Sequence, residues 1–100
     1  MMNIKLSIPE KKIEEFCKRN HIRKLAFFGS VLREDFSPES DVDVLVEFES
    51  DARVGLQFFK IEQELSEILG RKVDLNTAGF LSKYFREKVI TEAEVLYDAA

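Results

Sequence analysis

Gly29-Ser30, Asp41-Val42-Asp43 and the separate Asp74 are the residues of this chain best suited to chemistry. Asp41 and Asp43 open a stretch, Asp41 to Phe48, in which Val42, Val44, Val46 and Phe48 alternate with Asp41, Asp43, Leu45 and Glu47. That period of two predicts a strand with one apolar face. Residues two apart on a strand project the same way, roughly 6.5–7 Å apart along the chain, so the two carboxylates stand side by side. Holding them among apolar strand residues is costly unless a cation joins them. Hard divalent cations take oxygen ligands and commonly bind a few carboxylates together with substrate phosphates. If the strand of Asp74 lies next to that of Asp43, three carboxylates converge. Such a set can hold two cations roughly 3.5–4 Å apart, the arrangement used for in-line displacement at phosphorus.

Gly29 and Ser30 supply the complementary half. A glycine lets a phosphate approach the backbone, and Ser30 adds a hydroxyl and an N–H. A helix beginning at Ser30 would point its free N–H groups at the same place. Arg33, one turn on, can reach a triphosphate oxygen as a bidentate donor. Taken singly, Gly-Ser is an ordinary turn, Asp-X-Asp an ordinary strand end and Asp74 an ordinary surface acid. The ordered combination, with ten residues between Ser30 and Asp41, is what points to a metal–phosphate site.

The elements needed to position these residues are legible nearby. Ser7 and Glu10 form a capping-box pattern, with Pro9 tolerable in a first turn, and Ile13, Phe16 and Cys17 follow at helical spacing to a stop near Asn20. Lys24 to Phe28 reads as a strand running into Gly29. A short helical turn is expected from Ser30 to Glu34, and Ser37-Pro38-Glu39-Ser40 has turn chemistry. After a loop from Ser50 to Gly55, Phe58, Ile61, Leu65 and Ile68 mark an amphipathic helix to Leu69, with Gly70 at its stop. Arg71 to Thr77 reads as a third strand, Leu81 to Ile90 as a last helix and Glu94 to Tyr97 as a short strand. The order predicts a mixed α/β or α+β domain with a small sheet.

One hundred residues suit a single domain, 1–100, and leave little material for a second. A composition of 45% hydrophobic and 34% charged residues is that of an ordinary globular domain. The net charge of −4 weakly disfavours nucleic acid as the direct substrate. Cys17 is the single cysteine, so no intrachain disulfide can form, and a reducing compartment fits. No apolar run is long enough to span a bilayer and Met1 to Ser7 lacks the apolar core of a signal peptide, so a cytoplasmic chain with no membrane association is expected.

The stretch "HIRKLAFFGSVLREDFSPESDVDVLVEF", His21 to Phe48, resembles the nucleotidyltransferase domain of the polymerase-beta-like superfamily, and most of all the small minimal nucleotidyltransferases (MNT) of bacteria and archaea. The later "LGRKVDLNT" and "VITEAEVLY" extend the likeness over nearly the whole chain. The resemblance implies an α+β fold with a short mixed sheet flanked by about four helices. It implies Asp41, Asp43 and Asp74 as catalytic residues and metal ligands, and Gly29 with Ser30 as the nucleotide-binding turn. Arg33 matches the family's arginine at that turn. Ser40 matches the serine before the first aspartate, read as an orienting residue rather than a ligand. Glu34 departs from the family, which commonly has glycine there, and an acid at this position would repel phosphate. The resemblance further implies two Mg²⁺ ions, with Mn²⁺ as the alternative, ATP as substrate, and a hetero-oligomer with a ribonuclease toxin of the HEPN class, a tyrosine of which receives AMP from this antitoxin.

Two rival readings accompany this one. The chain could neutralise such a toxin by masking it, with the site vestigial. The complete acid triad argues against that and Glu34 argues for it. Or the acceptor could be a small molecule or an RNA end, although larger relatives with such substrates carry an additional domain. Among the remaining residues, His21 reads as structural or exposed, Cys17 as core, and at least one of Phe27 and Phe28 as core. Lys60, Glu64, Glu67 and Arg71 read as ion pairs on a solvated helix face, and Lys83, Arg86 and Lys88 as another solvated face. Tyr84, Phe85 and Tyr97 fit either core or a partner surface.

Overall fold

The structure, a computed structural model, describes residues 8–32, 37, 39–77 and 83–99. Helix α1 spans Glu10–Arg19, strand β1 Ile22–Phe28, a 3-10 turn Gly29–Leu32, strand β2 Val42–Phe48, helix α2 Gln57–Leu69, strand β3 Val73–Asn76, helix α3 Lys83–Glu92 and strand β4 Glu94–Asp98. The expected helical turn after Gly29 is therefore a single 3-10 turn, and three α-helices flank the sheet among the described residues.

The strands form one mixed sheet in the order β3-β2-β1-β4. β1 runs antiparallel to β2 and to β4, and β2 runs parallel to β3, with α2 as the crossover. The alternation in β2 does what its period requires: Val42, Val44 and Val46 are buried, whereas Asp43 and Leu45 are half-buried and Glu47 is exposed. The valine face packs with Leu25 and Phe27 of β1 and Val73 and Leu75 of β3 against Ile13, Phe16 and Cys17 of α1 and Ile61, Leu65 and Leu69 of α2. The opposite face of β2 and β3 carries the carboxylates.

α1 starts two residues later than the capping-box pattern predicts. Pro9 is its N-cap, with the first helical bond from Ile13 N–H to the Pro9 carbonyl at 3.0 Å and no side-chain cap. Glu10 thus stands at the first helical position, too early to serve as the far member of a box, and Ser7 lies outside the described residues. At the other end the Asn20 side-chain amide donates to the Phe16 carbonyl, and His21, exposed as expected, takes a φ of 55°. Gly70 closes α2 with a φ of 67°. Glu64 pairs with Arg19 of α1 at 2.7 Å rather than along its own helix.

Two side chains of α2 tie down β3, an edge strand. The Val73 N–H donates to Ser66 Oγ at 3.0 Å and the Leu75 N–H to Glu62 Oε2 at 2.8 Å, while the Ser66 hydroxyl donates to the Glu62 carbonyl. Helix side chains thus occupy edge donors that would otherwise seek another strand. Ser66→Ala leaves the N–H of a buried valine without this acceptor, and the expected loss is about 1–2 kcal/mol of unfolding free energy, read from the urea midpoint.

Cys17 is fully buried, and burial pushes its thiol up to about 12 from an ordinary 9.0. Between those values the unfolded chain loses its thiol proton before the folded one does, so the contribution to stability is complete below pH 9 and falls as pH rises toward 12. The expected slope is at most about 1.4 kcal/mol per pH unit. Native protein at pH 8 should resist a thiol reagent that labels the urea-unfolded chain within the mixing time. No helix among the described residues is long and apolar enough to cross a membrane.

Candidate active site

Register does most of the work of assembling the site. Asp43 on β2 lies directly beside Asp74 on β3, and Phe28, the last residue of β1, lies beside Asp43 on the other flank. Neighbouring strands are about 4.8 Å apart, so the two acids are immediate neighbours on one face. Asp41 precedes β2 by one residue, two before Asp43. Asp41 and Asp74 are exposed and Asp43 is half-buried. Among the described residues no three acidic, histidine or cysteine side chains already converge as a metal-holding group. What the backbone register brings side by side is the Asp43–Asp74 pair, with Asp41 two residues before Asp43, and carboxylates are the donors a hard cation takes.

Gly29 turns the chain away from β1 at this patch. Its φ of 72° is one that glycine adopts without strain. A Cβ there would overlap the Asp43 carboxylate oxygen and come within 3.2 Å of Asp43 Cγ. The glycine is required twice, by its own backbone and by the carboxylate against it. Val31, buried, pins the 3-10 turn that follows. The side chain of Ser30, and all of Arg33 and Glu34, lie outside the described residues.

The loop leading to Asp41 is held from two sides. Ser40 donates its N–H to the Ser37 carbonyl at 3.0 Å, and its hydroxyl accepts the Ser37 N–H at 3.1 Å. Ser40 thereby closes the turn one residue before Asp41. Arg71, which sequence spacing put on a solvated helix face, instead reaches across from the α2–β3 connection. Its Nη2 donates to the Ser37 carbonyl at 2.6 Å and to the Ser40 carbonyl at 2.9 Å. The spacing from Lys60 misled because Gly70 ends the helix first. Sequence reasoning also passed over Glu62 and Ser66. The available signal was two polar residues four apart, each directly following a core position, Ile61 and Leu65.

The nucleotidyltransferase domain family matches residues 10–97. The chain belongs to this family. This nucleotidyltransferase is 34% identical over 79 residues to a Thermococcus cleftensis protein named protein adenylyltransferase MntA, covering 79% of either chain. Its fold matches, with a TM-score of 0.72 and 24% identity, a chain of a toxin–antitoxin complex with AMP-PNP, covering 91% of this chain and 74% of that one. It also matches, at a TM-score of 0.63 and 24% identity, a chain of a complex of a tri-AMPylated Shewanella oneidensis HEPN toxin with its MNT antitoxin, covering 89% and 69%. The expected α+β class with a small mixed sheet is thus the fold of this enzyme family.

On the carboxylate face of the nucleotidyltransferase, farther along β2 from Asp43, lies a cavity of about 250 Å³. Ala26, Leu45, Thr77, Ile90, Ala93 and Val95 contribute to its walls, and Lys24 and Glu47 stand at its polar margin.

Proposed function

We propose that this nucleotidyltransferase moves AMP from ATP onto a hydroxyl, a tyrosine in the leading reading, of a HEPN-class ribonuclease, and acts as that toxin's antitoxin. The observation that carries the chemistry is the pairing of Asp43 with Asp74 beside the Gly29 turn. The choice of acceptor draws its support from the name of the Thermococcus relative and from the AMPylated toxin beside the Shewanella antitoxin.

Asp41, Asp43 and Asp74 would hold divalent magnesium, or manganese in its place, which supplies Lewis-acid neutralisation of the triphosphate and of the leaving pyrophosphate. Gly29, lacking a side chain, admits the phosphates to the backbone, and Ser30 and Arg33 donate to the β and γ oxygens. The acceptor hydroxyl oxygen bonds to the α-phosphorus as the bond from that phosphorus to the β-bridging oxygen breaks. Pyrophosphate leaves, and Asp74 accepts or relays the hydroxyl proton.

Intact-mass spectrometry of a HEPN-class toxin, incubated with this protein, ATP and Mg²⁺, tests the proposal. The expected result is a mass increase in whole AMP units, localised to tyrosine by fragmentation. Toxin that stays unmodified while its ribonuclease activity is silenced would select the masking reading instead. Modification of an RNA end or a small alcohol in place of the toxin would keep the enzyme and change the acceptor.

A further inference from the structure

We infer that Arg71 is a positioning residue for the Asp41–Asp43 pair, setting the geometry in which those carboxylates meet a cation; this rests on the function proposed above. Asp41 stands at the end of the loop that leads into β2, one residue before the strand begins. Three contacts close that loop and fix it to the connection between α2 and β3. The Arg71 Nη2 joins the carbonyls of Ser37 and Ser40, the Ser40 N–H closes onto the Ser37 carbonyl, and the Val42 N–H donates to the Lys72 carbonyl at 2.8 Å. Asp41 sits between the second and third of these. Two residues past Lys72 comes Asp74, on the strand that Ser66 and Glu62 hold in place. The short segment from Arg71 to Asp74 therefore carries one acid and grips the loop that presents another. Hydrogen bonds from a charged guanidinium are stronger than neutral ones, and two carbonyls shared by one of its nitrogens tie both ends of the Ser37–Ser40 turn to Arg71.

Through Nη2, Arg71 donates to main-chain carbonyls of the loop that presents Asp41, which is how it would act on the carboxylate. Groups that orient metal-binding side chains are commonly worth about 10- to 100-fold in metal affinity or activity when removed. Arg71→Ala is expected to raise the Mg²⁺ concentration for half-maximal transfer by about that factor, with a smaller change at saturating ATP and metal. Arg71→Lys, which keeps a charged donor on a shorter reach, is expected to fall between Arg71→Ala and the parent.

The experiment compares the parent, Arg71→Ala, Arg71→Lys and Ser66→Ala. The last loses a structural hydrogen bond of β3 without touching the Asp41 loop. Amide hydrogen exchange is read first, without metal or nucleotide. Faster exchange at Ser40 and Val42 in Arg71→Ala, with parent-like exchange there in Ser66→Ala, is the expected pattern. The Mg²⁺ dependence of transfer is then read for all four. Parent-like exchange at Ser40 and Val42 in Arg71→Ala, or a shift in Mg²⁺ dependence equal to that of Ser66→Ala, would overturn the inference. The exchange readout needs no catalysis. A parent protein without transferase activity would therefore count against the proposed function, while exchange alone would decide the role of Arg71.

Discussion

Asp43→Asn is expected to abolish AMP transfer, by about a thousandfold or more, which corresponds to about 4 kcal/mol of lost transition-state stabilisation. Asp43 is the acid flanked on both sides, by Asp74 across the β2–β3 pairing and by Gly29 at the end of β1. Replacing one carboxylate oxygen by an amide nitrogen keeps the shape and removes the charge that a hard cation requires. The residue is only half-buried, so the fold should survive, with unfolding free energy within about 0.5 kcal/mol of the parent. Steady-state transfer and a urea midpoint measured on the same preparation check both halves. Full activity in the variant would sink the metal assignment. Asp41→Asn is expected to behave alike, because the proposed site counts Asp41 among the carboxylates that would hold the cation.

Gly29→Ala is expected to damage stability and activity together, and so to leave a different signature. A side chain at a φ of 72° costs about 1–2 kcal/mol from the backbone alone. The new Cβ also meets the Asp43 carboxylate, which must rotate or move away. A displacement of that size at reacting groups can cost about a hundredfold in rate. The prediction is therefore a drop of about 1–2 kcal/mol in unfolding free energy with about a hundredfold loss of kcat/KM. An alanine variant of parental activity would show that Gly29 does not set the position of Asp43.

The parts of this molecule that sequence reveals are those governed by period. Val42, Val44 and Val46 announce β2 and its buried face, and Ile61, Leu65 and Gly70 announce α2 and its stop. The same period in β2 placed Asp43 on the face opposite the buried valines, where it stands half-buried. That Asp74 falls opposite Asp43, rather than one residue out of step, depends on the parallel pairing of β2 with β3, and a one-residue slip would have turned it toward the core. The roles of Arg71, Glu62 and Ser66 were hidden for a related reason. Their partners lie 31 or 34, 13 and 7 residues away respectively, and a polar side chain bonded to a distant main chain leaves no periodic trace. Ser7 misled in the opposite way, because a good local capping pattern says nothing about where Ile13 must begin its contacts with the core.

Parallel reactions with α-phosphate-labelled and γ-phosphate-labelled ATP, Mg²⁺ and a HEPN-class toxin probe the chemistry of the acid patch most directly, with the Asp41→Asn/Asp43→Asn double variant as control. AMP transfer predicts that the α label appears on the toxin, that the γ label leaves as pyrophosphate, and that the double variant transfers neither. Label from the γ position on the toxin, or α label that persists in the double variant, would contradict the assignment of these aspartates to nucleotidyl transfer.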